Sequence, residues 1–216
     1  MRTGRITTVL TTFSLLTDMP MYLSDRDIVK AVELGDILLK DFDRKRIQPA
    51  SYDVLLGNRF VVTDQHTTEF IDPVKGLFAN THEVEVKDGE YFVLHPRTTV
   101  LGMVRDFVGS KKYLIQLSGK SSLARIGLVV HNTAGIVNPG HFLNITLELS
   151  NLNIVPIVLR PGMPIAQLTF SELSSPVSTD YEKTGRFNGD NWKKNFSLPK
   201  NVQTSATKSK KKASQK

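Results

Sequence analysis

The sequence contains no cysteine and no long apolar run. The first absence excludes disulfide scaffolds, thiolate zinc sites and cysteine nucleophiles. The second argues against a membrane-spanning helix, which needs about 20 consecutive apolar residues. Hydrophobic residues make up 40% of the chain and charged residues 23%, which is ordinary for a globular protein. We therefore expect a cytoplasmic protein without a membrane partner.

Net positive charge is small outside the ends of the chain, although the formal net charge is +7. Residues 202–216 hold five lysines and no acidic residue. The rest of the chain is therefore close to neutral, whereas nucleic-acid-binding domains usually carry a strongly basic face. The charge distribution argues against a nucleic-acid partner.

The length suits one domain with its own core, flanked by tails. Residues 1–20 are rich in threonine, and Met19 and Met21 stand just ahead of a helix signal. We interpret this stretch as a disordered extension or an over-long start rather than a targeting peptide. The regular pattern covers residues 21–180, a mixed polar and aromatic segment follows over 181–201, and residues 202–216 are predicted to be disordered.

The regular pattern is one short helix followed by many short strands. Ser24 with Asp27 three residues later is typical of a helix N-terminus, and Gly35 ends a helix of about ten residues. From Ile37 onward, short apolar or alternating runs recur at roughly 8–12-residue spacing, which predicts an all-β sandwich or barrel. Gly57-Asn58 is interpreted as a hairpin turn between two of these strands.

One segment gathers groups that suit nucleotide chemistry. Gly119 permits a tight turn, and residues 121–125 predict a single helical turn. Exposed amides and hydroxyls beside Lys120 and Arg125 suit a phosphate group. Glu148 follows on an apolar strand, where a carboxylate can act as a general acid or base. Each feature alone has an ordinary explanation, a helix cap or a solvated face, but their convergence favours a site.

Six linked motifs resemble the dCTP deaminases of the dUTPase superfamily. They occur in the right order between about Met21 and Tyr181, and they are Ser24-Asp25-Arg26-Asp27-Ile28, Ser51-Tyr52-Asp53-Val54 with Leu56-Gly57, Gly119-Lys120-Ser121-Ser122-Leu123-Ala124-Arg125, Asn138-Pro139-Gly140, Thr146-Leu147-Glu148-Leu149-Ser150-Asn151 and Arg160-Pro161-Gly162-Met163. The resemblance implies a distorted β-barrel or jelly-roll subunit with a short N-terminal helix, a homotrimer, and active sites at subunit interfaces.

The resemblance also implies deamination without zinc. Zinc deaminases need a Cys-x-x-Cys element, which this chain lacks. Glu148 matches the family's general acid/base, and Ser121 and Arg125 would orient the cytosine and stabilise developing charge. Mg²⁺ would be held by the triphosphate rather than by protein side chains. The implied substrate contacts are Lys120, Ser121, Ser122, Leu123, Ala124, Arg125, Asn138, Thr146, Leu147, Gln167, Tyr181 and Arg186, the last two in the segment 181–201 that would close over the triphosphate.

Two residues leave the product of the reaction open. Ala134-Gly135 resembles the bifunctional relatives, which convert dCTP to dUMP, and also the dUTPases. Asn138 stands where an Asp is usual, and an amide cannot take a proton from the water that attacks the α-phosphate. Loss of such a base would slow hydrolysis by about 10²–10⁴-fold. We therefore predict that dCTP is deaminated to dUTP and ammonia, with a dUMP-forming bifunctional enzyme or a dUTPase as the alternative.

A non-catalytic nucleotide-binding regulator on the same fold is a further alternative. Three departures from the family pattern support it: Lys120 where Arg is usual, Asn138, and Leu143 where a small residue is common. Lysine still binds phosphate, but it lacks the bidentate fork of arginine. Under each of these hypotheses dCTP is the first candidate ligand, and dUTP and dTTP are further candidates.

Overall fold

The computed structural model describes residues 21–179 and 181–185. Its elements, in chain order, are α1 (Asp25–Glu33), β1 (Ile37–Leu39), a 3₁₀ turn (Arg44–Arg46), β2 (Ile47–Gln48), β3 (Ser51–Thr63), β4 (Thr81–Glu85), β5 (Phe92–Leu94), β6 (Thr99–Ser110), β7 (Leu114–Gly119), α2 (Ser121–Ala124), β8 (Leu128–Val129), β9 (Ile136–Val137), β10 (Leu143–Asn151), β11 (Ile157–Leu159), β12 (Pro164–Ser171) and α3 (Tyr181–Thr184). The predictions for residues 1–20, for Arg186 and for residues 202–216 lie outside the described residues, as does most of the segment 181–201.

One large antiparallel sheet organises the described part of the chain. Its main path runs β8-β10-β6-β3-β12-β7-β9, with β1 paired to β6 and with β2 and β4 paired to β3. A separate pair joins β11 to β5. The alternating burial along β6, β7, β10 and β12 shows why the sequence forms strands, since every second side chain enters the core. The predicted all-β class with a short N-terminal helix is confirmed.

The N-terminal helix begins where its cap was predicted. The Ser24 hydroxyl accepts a hydrogen bond from the Asp27 amide at 3.4 Å and donates one to the Asp27 carboxylate at 2.7 Å. Ile28 and Ala31 are buried against the sheet. Gly35 follows with φ of +77°, a conformation that glycine adopts without strain and that ends the helix.

The hairpin turn predicted at Gly57-Asn58 is wrong, because β3 runs through both residues without a break. Glycine is required there by packing rather than by a turn. A Cβ at position 57 would lie 2.8 Å from the Met103 carbonyl oxygen of the neighbouring strand β6. The β3–β6 register also shifts between Leu56 and Phe60. A glycine inside a strand marks such an irregularity as readily as it marks a turn.

An irregular stretch of β6 brings a charged pair into the interior. Asn144 pairs with Phe107 and Thr146 with Met103, so residues 104–106 of β6 lie opposite Ile145 alone. Asp106, in this stretch, is buried and accepts a hydrogen bond from the Leu55 amide at 2.9 Å. Its other oxygen lies 2.6 Å from the Arg46 guanidinium. This ion pair joins the centre of the sheet to the 3₁₀ turn.

No helix among residues 21–179 and 181–185 is long and apolar enough to cross a membrane.

Candidate active site

The turn that follows β7 displays the polar groups predicted from the sequence. Lys120 is the N-cap residue of α2, and its carbonyl oxygen accepts hydrogen bonds from the amides of Leu123 and Ala124. Ser121, Ser122 and Arg125 are exposed, whereas Leu123 is half-buried against the core. The predicted single helical turn is thus present, and it presents two hydroxyls and a guanidinium to solvent.

Lys120 points back toward the sheet. Its Nζ lies 2.6 Å from the Asp53 Oδ2, and the two side chains are only 23% and 10% exposed. Asp53 sits on β3, directly opposite Gln167 of β12. The cation that was expected to meet phosphate is therefore held beside a carboxylate from a strand that neighbours β12.

Gln167 also lies at this turn. Its amide nitrogen donates to the Gly119 carbonyl at 3.3 Å, and its oxygen accepts from the Ser51 hydroxyl at 3.2 Å. Gln167 pairs with Ser118 and Ala166 with Gly119 at the end of the β12–β7 pairing, immediately before Lys120. The structure therefore brings Gln167 to the turn that carries Lys120, and its contact with substrate stays a prediction.

Glu148 lies on β10, on the face opposite the fully buried Leu147. Its Oε2 lies 3.4 Å from the amide nitrogen of Asn132, which follows β8. Thr146 shares its half-buried face with Glu148. Thr146 and Leu147 pair with β6 on one side of β10. On the other side β8 pairs with β10 only at Ser150 and Asn151, so the backbone of Thr146 and Leu147 has no strand partner there within the described residues. This edge suits the predicted backbone contacts to a base.

The loop between β8 and β9 connects Glu148 to the Lys120 turn. The Gly135 carbonyl accepts a hydrogen bond from the Leu117 amide at 2.7 Å. A Cβ at position 135 would lie 2.7 Å from the Leu117 carbonyl oxygen and 3.2 Å from the His131 ring. Within the described residues the Nδ1 of His131 is buried without a hydrogen-bond partner. The loop is therefore tightly packed, and it carries the Asn132 amide that faces Glu148.

Asn138 and Tyr181 form a second group, apart from the first. Val137 pairs with Ile115 near the start of β7, whereas Lys120 follows the end of that strand. Asn138 therefore lies next to the start of β7, and the length of β7 from Leu114 to Gly119 separates it from Gly119 by about 17 Å. A cavity of about 560 Å³ opens here, lined by Asn138, Pro139, Thr184, Tyr181 and the stretch 173–179 but not by Lys120 or Glu148. Within residues 21–179 and 181–185, the Asn138–Tyr181 group and the Lys120–Glu148 group therefore form two separate half-sites.

The Tyr181 ring stacks on the His141 ring, with their centroids 4.3 Å apart. His141 is buried at the end of the turn 138–141, in which its amide donates to the Asn138 carbonyl at 3.0 Å. Tyr181, which was predicted to belong to the closing segment, thus lies against the Asn138 turn of its own chain.

Sequence reasoning assigned no role to Asp53 or His131. Asp53 was part of a quoted motif, and a carboxylate inside an otherwise apolar run is the signal that marks it. His131 gave no such signal. Within the described residues, no group of three or more His, Asp or Glu side chains is arranged to hold a metal ion.

The antiparallel sheet with its short N-terminal helix defines an all-β protein. The model of the family described as dCTP deaminase-like matches residues 22–173. The chain belongs to this family.

Two curated relatives place the chain more closely within the family. The dCTP deaminase, dUMP-forming, of Clavibacter michiganensis subsp. michiganensis is 43% identical over 173 residues, which cover 78% of this chain and 86% of the relative. The protein of the same name from Corynebacterium glutamicum is 45% identical over 162 residues, 74% of this chain and 86% of the relative.

Among solved structures, the 2′-deoxycytidine 5′-triphosphate deaminase from Agrobacterium tumefaciens superimposes with a TM-score of 0.55 at 20% identity. The superposition covers 71% of this chain and 49% of that one. At this identity the likeness concerns the fold.

Proposed function

We propose that this protein removes the 4-amino group of dCTP and then hydrolyses the resulting dUTP to dUMP. The observation that carries the proposal is the position of Glu148. Its carboxylate faces the loop between β8 and β9, and this loop packs on strand β7, which ends just before Lys120. The relatives at 43% and 45% identity are named dUMP-forming, which favours dUMP over the dUTP that Asn138 led us to expect. The preference for a reaction that ends at dUTP is therefore revised.

Glu148 is the proton carrier in the first step. Its carboxylate takes a proton from water as the oxygen attacks C4 of cytosine, and it delivers that proton to N3. It then moves the proton of the new C4 hydroxyl to the amino group, the C4–N4 bond breaks, and ammonia leaves. Ser121 and Arg125, both exposed beside Lys120, are the groups that orient the base and stabilise the charge.

Lys120 and Gln167 serve the phosphate end of the nucleotide. A triphosphate brings about four negative charges, and Mg²⁺ held by the triphosphate would neutralise part of them. In the second step water attacks the α-phosphorus, the bond to the bridging oxygen breaks, and dUMP and pyrophosphate separate. Asn138 can orient that water but cannot deprotonate it, so we expect hydrolysis to be the slower step and dUTP to accumulate transiently.

Two half-sites in one chain support a site shared between subunits of a homotrimer. The turn at Asn138 and the ring of Tyr181 line a cavity to which neither Lys120 nor Glu148 contributes, so a neighbouring subunit is expected to supply them. Mixing two variants that are each expected to lose dUTP hydrolysis, Lys120→Ala and Asn138→Ala, and assaying the hydrolysis of added dUTP tests this arrangement. In randomly mixed trimers about a quarter of shared sites would contain both native residues, and activity would return to about that fraction. No recovery after subunit exchange would contradict the shared site.

Phosphorus NMR of a dCTP reaction, with ammonia assayed in parallel, tests the function itself. We expect ammonia, a transient dUTP signal, and then dUMP with pyrophosphate. Ammonia with dUTP as the final product would favour the deaminase alone, the second candidate that Asn138 supports. Tight binding of dCTP by a folded trimer without any turnover would favour the regulator and overturn the proposal.

A further inference from the structure

The Asp53 carboxylate and the Lys120 ammonium form a nearly buried ion pair beneath the phosphate-binding turn. The distance between Nζ and Oδ2 is 2.6 Å, and the side chains are 23% and 10% exposed for lysine and aspartate. Asp53 is anchored in β3, which is paired to β12 at this point. The anchor is therefore part of the sheet, whereas Lys120 lies in the connection that follows β7.

Asp53 has few other donors to satisfy its charge. The Gln48 amide donates to Oδ2 at 3.3 Å, a long bond. Oδ1 is buried and has no hydrogen-bond partner within the described residues. If Lys120 swung out to solvent, it would leave a buried carboxylate with one weak donor, and an unpaired buried charge is strongly unfavourable. Asp53 therefore restrains Lys120.

This restraint matters because lysine is a poor phosphate ligand when it is mobile. Its long stem gives it many rotamers, and ordering them on binding weakens the affinity for the ligand. The ammonium carries three N–H donors, and the contact with Asp53 uses one of them. A lysine already fixed by the sheet has its remaining donors available to a phosphate oxygen.

We propose that Asp53 is a positioning residue that fixes the Lys120 ammonium for the triphosphate and thereby sets the affinity of the site for phosphate. This inference rests on the proposed function in taking the Lys120 turn as the triphosphate site. It adds a residue that touches Lys120, from a strand outside the turn, and it predicts an effect on binding rather than on the chemical step.

Calorimetric titration with inorganic tripolyphosphate, dCTP and deoxycytidine tests the proposal in the Glu148→Gln protein, in which turnover is expected to be blocked. Asp53→Asn is expected to weaken the binding of tripolyphosphate and of dCTP by about 10-fold, because the fixed lysine becomes mobile. The affinity for deoxycytidine, which has no phosphate, is expected to stay the same. An unchanged or tighter affinity for tripolyphosphate would overturn the proposal, since Asp53 would then only repel the anion.

A double-mutant cycle separates positioning from a general effect on folding. In a Lys120→Ala background, Asp53→Asn is expected to change the dCTP affinity by less than about 2-fold, because the residue through which it acts is gone. If the loss of dCTP affinity in the double variant equalled the sum of the losses in the two single variants, the proposal would be overturned. Asp72→Asn is the matched control, because it removes an aspartate from another Lys–Asp pair, the one with Lys75 at 3.4 Å. Its affinity for dCTP is expected to match that of the parent.

A milder variant covers the case in which Asp53→Asn does not fold. Asp53→Glu keeps the charge but lengthens the side chain by one methylene, which displaces the carboxylate that fixes Lys120, and it is expected to weaken tripolyphosphate binding by about 2–3-fold. Unchanged tripolyphosphate binding by folded Asp53→Glu would count against the role of Asp53. Because these titrations do not need turnover, they distinguish failure of this inference from failure of the proposed function, which shows as absent ammonia release in the native protein.

Discussion

The Oε2 of Glu148 lies 3.4 Å from the amide nitrogen of Asn132, so the candidate proton carrier accepts a hydrogen bond from the loop between β8 and β9. The hydrogen bond is long and therefore weak, and the carboxylate keeps acceptor capacity for a water molecule. Glu148 is also half-buried on a strand whose neighbouring side chain, Leu147, is fully buried. The strand fixes the backbone position of Glu148, and the loop contributes one weak hydrogen bond to its carboxylate.

Replacing Glu148 with Gln is expected to abolish deamination while leaving the protein folded. Glutamine keeps the size and an oxygen for the Asn132 amide, but it cannot shuttle a proton, and loss of a general acid/base lowers rates by about 10²–10⁴-fold. Ammonia release measures the rate, and calorimetry measures the retained dCTP affinity. Turnover within about 10-fold of the native rate would rule out the proton-carrier role.

Replacing Gly135 with Ala is expected to damage the site through the same loop. The added methyl group would lie 2.7 Å from the Leu117 carbonyl oxygen and 3.2 Å from the His131 ring, so the loop or the end of β7 must move. Such overpacking costs about 1–3 kcal/mol, and the shift displaces the Asn132 amide from Glu148. We expect a lower melting temperature and at least about 10-fold slower ammonia release.

The matched control for this variant is Gly119→Ala, judged by stability alone. There a Cβ would meet only Val130, at 3.4 Å. The melting temperature of Gly119→Ala is expected to fall less than that of Gly135→Ala. An equal fall in both would show that the packing around Gly135 has no special consequence.

Local signals in the sequence predicted the parts of the structure that local interactions create. The cap at Ser24 and the single turn after Lys120 depend on residues within a few positions, and both are present. Gly57 was misread because the residue that demands a glycine, Met103, is distant in the chain and only meets it across two strands. A composition signal for a turn and one for a close approach of backbones look the same in a sequence.

In the candidate site, too, the sequence predicted local features but not contacts between distant segments. The donors of the Lys120 turn are contiguous in the chain and were predicted together, whereas the partner of Lys120 is Asp53, from a strand far earlier. Neither segment contains a local signal that Lys120 and Asp53 are in contact, because it is the β3–β12–β7 order of the sheet that brings them together. The separation of Asn138 from Lys120 likewise follows from the antiparallel pairing of β7 with β9 and not from the motifs.

Replacing Asn138 with Asp is expected to accelerate the release of pyrophosphate. A carboxylate at this position can take a proton from the attacking water, and a general base contributes about 10²–10⁴-fold. We expect the rate of dUTP hydrolysis to rise by at least about 10-fold and the transient dUTP signal to shrink, while ammonia release stays nearly the same. A hydrolysis rate that does not change would show that position 138 does not supply the base.

Breaking the pair between Arg46 and Asp106 is expected to destabilise the fold strongly. The two side chains are 11% and 2% exposed, and Asp106→Asn leaves the guanidinium without its counter-charge. Removing one partner of a buried pair costs about 3–5 kcal/mol, which urea unfolding would measure. Glu33→Gln is the control, because the Arg44–Glu33 pair is 70% and 61% exposed and is expected to contribute less than about 1 kcal/mol. Equal losses in both variants would contradict the structural role of Asp106.

The Tyr52 hydroxyl makes the stability of the fold sensitive to alkaline pH. Burial raises the pKa of Tyr52, although its hydrogen bond from the Asp43 amide and the nearby Arg46 act in the opposite direction. Because the folded-state pKa lies above the unfolded value of about 10, the stabilising contribution is complete below that pH and is lost as the pH rises through the folded-state pKa. We expect the free energy of unfolding, measured in urea, to fall above about pH 10. Tyr52→Phe is expected to reduce this fall, at the cost of a pH-independent loss from the unpaired Asp43 amide. The exposed Tyr91, replaced by Phe, serves as the control, and the same alkaline profile in the native and Tyr52→Phe proteins would exclude Tyr52 as the source.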